Sequence, residues 1–199
     1  DGMQLTGSQF TETSALLGND LATFPDFPAE IRAPLGTVAG VSGFQVHIGN
    51  TEINTPGDVA DVLVAMNPAA LKANKNWIKK GGTIIINSDS FAKKDLDKAG
   101  YENNPLEDGS FSGFNIVEAP IANLTQETLK DSGLDGKSIR RAKNMFALGM
   151  VYWMFNRPME RTKKFLQDKF ESKPLVVESN IKVLHAGYNF ANTIEALPS

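Results

Sequence analysis

Cysteine is absent from this sequence, which excludes disulfides, thiolate catalysis and any iron–sulfur cluster held by the chain's own thiolates. A cysteine-free chain is compatible with the cytoplasm, the expected location. Histidine is scarce: there are two, His47 and His185, and no His-Glu-x-x-His or comparable metal spacing occurs, so no metal site is expected. Long hydrophobic runs are missing as well. The longest, Met145 to Phe155, is broken by Gly149 and too short to cross a bilayer, so it reads as a buried core helix. Charge of one sign is also lacking. A net charge of -3 gives neither the footprint of a nucleic-acid binder nor a polybasic membrane anchor.

What is present is an ordinary globular composition, 41% apolar and 22% charged over 199 residues, enough to bury a sizeable core in one large domain. Phe44-Gln45-Val46-His47-Ile48 alternates as a strand does. Val62 to Met66 and Thr83 to Ile86 are continuous apolar runs, the pattern of strands covered on both faces, and Phe114 to Val117 is a further strand candidate. Helices are expected over Ser8–Leu17, with Thr6 or Ser8 as N-cap, and over Pro68–Lys79, with Asn67 as N-cap and a stop at Gly81-Gly82. Further helices are expected over Ser90–Lys98, Lys137–Asn156, Pro158–Glu171 and Asn180–Ala196, the last capped by Ser179. Tyr101–Ser112 reads as a surface loop or hairpin and a place for disorder. Alternation of strand and helix gives an α/β class, three-layer α/β/α and Rossmann-like, with a largely parallel sheet.

Chemistry could sit in three places. Gly2-Met3-Gln4-Leu5-Thr6-Gly7-Ser8 reads as a glycine loop before a helix, which suits either an anion or a plain tight turn. Phe24 to Gly36 is held extended by three prolines and carries Asp26, Glu30 and Arg32. That arginine can grip a carboxylate or phosphate, or pair internally. Asn87-Ser88-Asp89-Ser90 follows an apolar strand, where open α/β sheets bind ligands, and serves equally well as helix caps. Lys137, Arg140, Arg141 and Lys143 crowd a helix start, against the macrodipole. This hints at an anionic partner against the default of a solvated face. Neither histidine has a visible carboxylate or serine partner, both are taken as structural, and no catalytic residue is assigned.

The same residues resemble a family pattern over nearly the whole chain. Asp1-Gly2-Met3-Gln4 with Thr6-Gly7, Glu30-Ile31-Arg32 running to Val46-His47-Ile48, and Asp61 to Asn67-Pro68 with Leu71, Asn74 and Gly81 to Ser88 match in order and spacing. So do Asn144 to Gly149 and Asn180 with His185-Ala186-Gly187-Tyr188. The pattern is similar to the gamma-type domain of 2-oxoacid:ferredoxin oxidoreductases. Arg32-Ala33-Pro34, where many relatives carry Arg-Gly-Gly, is similar to the alpha chain of 2-oxoglutarate-type enzymes, in which this domain precedes a thiamine-enzyme-like domain. Residues 1–199 would then be a gamma-type domain within a longer subunit. The resemblance implies oxidative decarboxylation of a 2-oxoacid, 2-oxoglutarate foremost, with coenzyme A, giving acyl-CoA, CO2 and reduced ferredoxin.

Thiamine diphosphate with its magnesium, and the iron–sulfur clusters, would belong to a thiamine-binding beta subunit, the downstream alpha domain or other partners. This chain's share would be assembly and the coenzyme A side of the site, with Gly2, Thr6, Gly7, Ser8, Arg32, Asn87 and Ser88 nearest that ligand. The competing readings are a free-standing Rossmann-like nucleotide-binding or regulatory module and an interaction domain without a ligand.

Overall fold

The computed structural model describes residues 2–18, 20–26, 40–49, 53, 55 and 57–195. The chain divides into two compact units, one from residues 1–24, 44–56 and 121–197, the other from residues 25–43, 57–120 and 198–199. We call them the helical unit and the sheet unit. Strand β1 (Asp20–Asp26) pairs with β2 (Gly43–Gly49) in a separate two-stranded sheet.

The sheet unit is built on β3 (Ala60–Ala65), β4 (Ile78–Asn87) and β5 (Asn115–Ala119), in the order β3-β4-β5 and parallel throughout. The α/β class and parallel sheet expected from sequence are therefore observed. Ile84, Ile85 and Ile86 are all fully buried. Successive residues of a strand face opposite ways, so both faces of β4 are covered. Ala65, Leu71, Ile78, Ile84, Ile86, Phe91, Leu96 and Phe111 form the core cluster.

Helix α2 (Pro68–Asn74) starts as expected: Asn67 is its N-cap, the side-chain oxygen accepting from Ala70 N at 2.8 Å, with Pro68 in the first turn. It ends earlier than expected. A 3-10 turn covers Lys75–Trp77, and β4 begins at Ile78. Ile78 is buried and pairs with Ala60, while Lys79 and Lys80 are exposed. Tertiary pairing thus takes residues that local pattern assigned to helix. The register shifts between Ala60 and Val62, and Gly81 has φ +80°, so the Gly81-Gly82 pair serves a bulge rather than a helix stop. Helix α3 (Lys93–Lys98) starts later than expected, after a 3-10 turn at Ser88–Ser90, and it ends before Gly100 at φ +71°. The Tyr101–Ser112 loop forms no hairpin. Asn104 Oδ1 accepts from Leu106 N and Asp108 Oδ1 from Ser110 N, and Phe111 anchors it in the core.

The helical unit holds α1 (Gly2–Leu16), α4 (Ile121–Leu129), α5 (Gly136–Met154), α6 (Glu160–Lys169) and α7 (Pro174–Thr193). The run expected to be a buried core helix is the inner half of α5. Its closest neighbour is α7, and glycines set the crossing. A Cβ on Gly149 would overlap the Leu184 carbonyl oxygen and lie 2.8 Å from Tyr188 N. A Cβ on Gly187 would overlap the Phe146 carbonyl oxygen, with its carbon 2.7 Å away. Helix α7 begins at Pro174 rather than Asn180, because a proline suits a first turn, and Ser179 is buried inside the helix instead of capping it. Helix α4 follows Pro120 directly, a helix not among those expected from sequence.

Candidate functional site

The parallel sheet defines where a ligand fits best: its carboxyl edge, where strands end and backbone turns away to open a crevice. Here that edge is made by Met66-Asn67 after β3, Asn87 to Ser90 from the end of β4, and Ala119-Pro120 at the end of β5. Asn87 is fully buried. Its Nδ2 donates to Ser90 Oγ at 2.7 Å and to the Met66 carbonyl at 3.4 Å, so one amide ties the ends of two neighbouring strands together. The Ser88–Ser90 turn that follows is half-buried and closes with Phe91 N donating to the Ser88 carbonyl. Asn67, just after β3, joins a helix start to a turn instead. While its oxygen caps α2, its Nδ2 donates to the Gly40 carbonyl at 3.1 Å. Gly40 has φ +89°, and a Cβ there would lie 2.9 Å from that same Nδ2.

The sequence-predicted site residues fare differently. Asn87 and Ser88 stand side by side on the carboxyl edge. Arg32, with Glu30, lies outside the described residues. Gly2, Thr6, Gly7 and Ser8 belong to the helical unit, and the expected loop is corrected: all four are within α1. Packing explains why helix extends so far. Thr6 is buried and its hydroxyl donates to the Gly2 carbonyl at 2.9 Å. The position of a Cβ on Gly7 is filled by the Phe44 ring, and on Gly2 by the Asn144 amide. Glycine here admits neighbouring side chains. Asn67 was legible only as a cap; its second hydrogen bond, to a residue 27 positions away, has no local signal.

Two titratable groups of the helical unit perturbed by the fold are Tyr152 and His185. Burial pushes the Tyr152 phenol up from its usual range, opposed by hydrogen bonds from Thr13 and Thr162. Burial, then Lys163, lowers His185, with Glu160 opposing. His185 is half-buried, and His47 is exposed with Nδ1 2.8 Å from the Thr55 carbonyl oxygen. Among the described residues no group of three or more histidines or carboxylates is placed to hold a metal ion. At this edge the amides of Asn67 and Asn87 are committed to holding the chain, and the half-buried Ser88–Ser90 turn is what they present.

The chain, with its parallel three-stranded sheet and helices, matches the 2-oxoacid oxidoreductase class of proteins. Residues 1–190 match the family model for pyruvate ferredoxin/flavodoxin oxidoreductase, and the chain belongs to that family. It is 51% identical over 196 residues to subunit KorA of 2-oxoglutarate oxidoreductase from Mycobacterium tuberculosis, covering 98% of this chain and 30% of that one. Among solved structures it resembles 2-oxoglutarate:ferredoxin oxidoreductase from Magnetococcus marinus, which holds 2-oxoglutarate, coenzyme A and succinyl-CoA. The TM-score is 0.66 at 26% identity, over 94% of this chain and 28% of that one. The fold is also that of a keto/oxoacid ferredoxin oxidoreductase gamma subunit from Geobacter sulfurreducens, with a TM-score of 0.54 at 16% identity, covering 93% of this chain and 90% of that one. The chain thus spans about 30% of the curated relative it matches and most of a separate gamma subunit.

Proposed function

We propose that residues 1–199 form the gamma-type domain of a 2-oxoglutarate:ferredoxin oxidoreductase subunit that acts in the cytoplasm. In the complete enzyme a 2-oxoacid is oxidatively decarboxylated, its acyl group passes to coenzyme A, and the electrons reduce ferredoxin. The observation that carries this is the 51% identity to a 2-oxoglutarate oxidoreductase subunit over 98% of this chain. Thiamine diphosphate, magnesium and iron–sulfur clusters are assigned to a thiamine-binding beta subunit, the downstream alpha domain and other partners. The absence of cysteine here agrees with that division.

Coenzyme A is the one cofactor proposed for this chain, as a ligand of the sheet's carboxyl edge. Ser88 offers a hydroxyl there, Asn87 fixes the turn that presents it, and Arg32 would supply a cation for a phosphate. In the helical unit, of Gly2, Thr6, Gly7 and Ser8, the exposed Gly2 and Ser8 are the positions left available to a ligand. The test is purification of the full-length protein with its partners from the source. Co-purification of a thiamine-binding subunit, with ferredoxin reduction requiring both 2-oxoglutarate and coenzyme A, is expected. A protein isolated alone and inactive with every 2-oxoacid would instead favour the free-standing nucleotide-binding module. Hydrogen exchange on the complex checks the site: saturating coenzyme A should protect residues 87–90, and unchanged exchange there would remove the edge from the proposal.

A further inference from the structure

Helix α1 is packed the wrong way round for a surface helix. Four of its five buried residues, Thr6, Gln9, Thr13 and Ser14, are polar, and Phe10 alone is apolar. Met3 and Leu5 are half-buried, while Leu16 and the following Leu17 are exposed. An amphipathic helix turns the opposite stripe to the core. Hydrophobic burial therefore holds α1 weakly, and hydrogen bonds carry much of its attachment. The Tyr152 hydroxyl makes two of them, donating to the Gln9 carbonyl at 3.0 Å and meeting Thr13 Oγ1 at 3.1 Å. Two more are unmade. Gln9 Oε1 and Ser14 Oγ are buried with no partner among the described residues. Each is a desolvated group that regains water if the helix leaves.

We infer that α1 is a detachable strap, opening as one unit ahead of the rest of the helical unit. The α5–α7 pair is held otherwise, by buried Phe146, Leu148, Met150, Val183 and Leu184 as well as its glycine crossing. The remaining fastenings of α1 are side-chain contacts, which part without moving another helix's backbone. They are the Phe10 ring against Phe155, with centroids 5.5 Å apart, the Phe44 ring over Gly7, and the exposed Glu12–Arg161 ion pair at 3.5 Å. A pivot stands just beyond the helix: Gly18 has φ +77°, and a Cβ there would meet nothing within 4 Å. The backbone can turn at that point without disturbing a packed neighbour. Such an opening needs neither ligand nor partner, so it is independent of the functional reading above.

Hydrogen exchange on the full-length protein with its partners tests this. Amides of residues 6–14 should exchange at least about a hundredfold faster than those of 145–152 and 183–190, after correction for intrinsic rates. Low urea should speed residues 6–14 alike, as exposure of a whole unit requires. Val183→Ala trims a fully buried α7 side chain. It should speed exchange in α5 and α7 about tenfold and leave α1 unchanged, because that core stays packed whether α1 is open or closed. Gln9→Met keeps length and helix propensity but removes the unpartnered oxygen, so it should slow exchange in α1 about tenfold. Equal protection of α1 and the α5–α7 pair would overturn the inference. So would Val183→Ala speeding both alike, since either result makes them one cooperative block. Exchange that only rises toward Gly2, without a response to urea, would mean end fraying and overturn it too. Unchanged α1 exchange in Gln9→Met would remove the unmade bonds as its cause.

Discussion

The two units use close backbone approach and side-chain hydrogen bonding in opposite proportions. In the helical unit, α5 and α7 meet where Gly149 and Gly187 leave no room for a Cβ against the other helix's main chain. Among the described residues the sheet unit has one comparable position, Gly82, where a Cβ would lie 2.8 Å from the Lys79 carbonyl oxygen and 2.9 Å from that of Asp61, beside the β3–β4 register shift. What organises its carboxyl edge is instead a pair of asparagine amides, Asn67 and Asn87, each bridging segments distant in sequence. The difference separates two reasons for a family motif. Asn144 to Gly149 and His185-Ala186-Gly187 mark a helix crossing, while Asn67 and Asn87 mark the sheet's carboxyl edge, where we propose that a ligand binds.

The sharpest way to break this comparison is to put a methyl group into the crossing. Gly187→Ala must displace the Phe146 main chain, which cannot swing aside as a flexible side chain can. Overpacking of this kind costs about 3 kcal/mol or more, and we expect the purified domain to lose cooperative thermal unfolding or fail to accumulate as folded protein. Gly149→Ala should behave alike. Gly2→Ala tests the boundary of the rule: the obstacle there is the amide end of the Asn144 side chain, so its penalty should be clearly smaller. Equal penalties would mean that backbone contact is not what distinguishes the crossing.

Next in size are the buried polar groups, one from each unit. Asn87→Ala leaves the Met66 carbonyl and Ser90 hydroxyl without their donor, a loss of about 1–3 kcal/mol. If the edge is the ligand site, affinity for coenzyme A should fall along with stability. Tyr152→Phe strips a fully buried hydroxyl from Thr13 at 3.1 Å, Thr162 at 2.6 Å and the Gln9 carbonyl at 3.0 Å. The cost should be similar, with coenzyme A binding untouched by any direct effect. Tyr152 also carries a pH signature. Its folded pKa is raised above the ordinary 10.0 by burial. Its contribution is therefore fully present below that value and is lost as pH rises through the folded pKa. Denaturant midpoints above pH 10 should accordingly decline less steeply in the phenylalanine variant.

How much of this was legible in sequence depended on whether the signal was local. The β3 and β4 cores are continuous apolar runs, and Asn67-Pro68 is a cap followed by a first-turn proline, so those elements could be read directly. Lys79 and Lys80 misled because a helix pattern and an exposed strand start look alike until Ile78 is seen paired with Ala60. Gly2 to Ser8 misled for a related reason: glycines suggest a loop, and only the Phe44 ring and Asn144 amide filling their spaces explain glycine inside a helix. Family resemblance identified the blocks around Gly149 and Gly187, but their meaning lies in a contact between residues nearly forty positions apart. Asn87 and Ser88 were visible because they end an apolar strand. The Asn67–Gly40 tether was not, since nothing near Asn67 announces its second partner.

The smallest expected effect concerns the cap at the basic start of α5. Hydrogen bonding from Ser138, side chain first and then backbone, with Lys137 N adding to it, lowers the Asp135 pKa below its ordinary 3.8. The carboxylate is fully exposed, so solvent screens much of this advantage. Its contribution is present above the unfolded pKa and disappears as pH falls through the lowered folded value, which confines the effect to strongly acid solution. Asp135→Ala should lower Tm at neutral pH by no more than about 2–4 °C. Asp135→Asn should hold Tm nearly level, because an amide oxygen can accept the same two backbone bonds. The two variants also separate geometry from charge. If Asn restores Tm but not the wild-type acid dependence, the carboxylate's charge contributes beyond the cap. If Asn falls as far as Ala, that charge chiefly offsets Lys137, Arg140 and Arg141, and adding salt should rescue the asparagine variant.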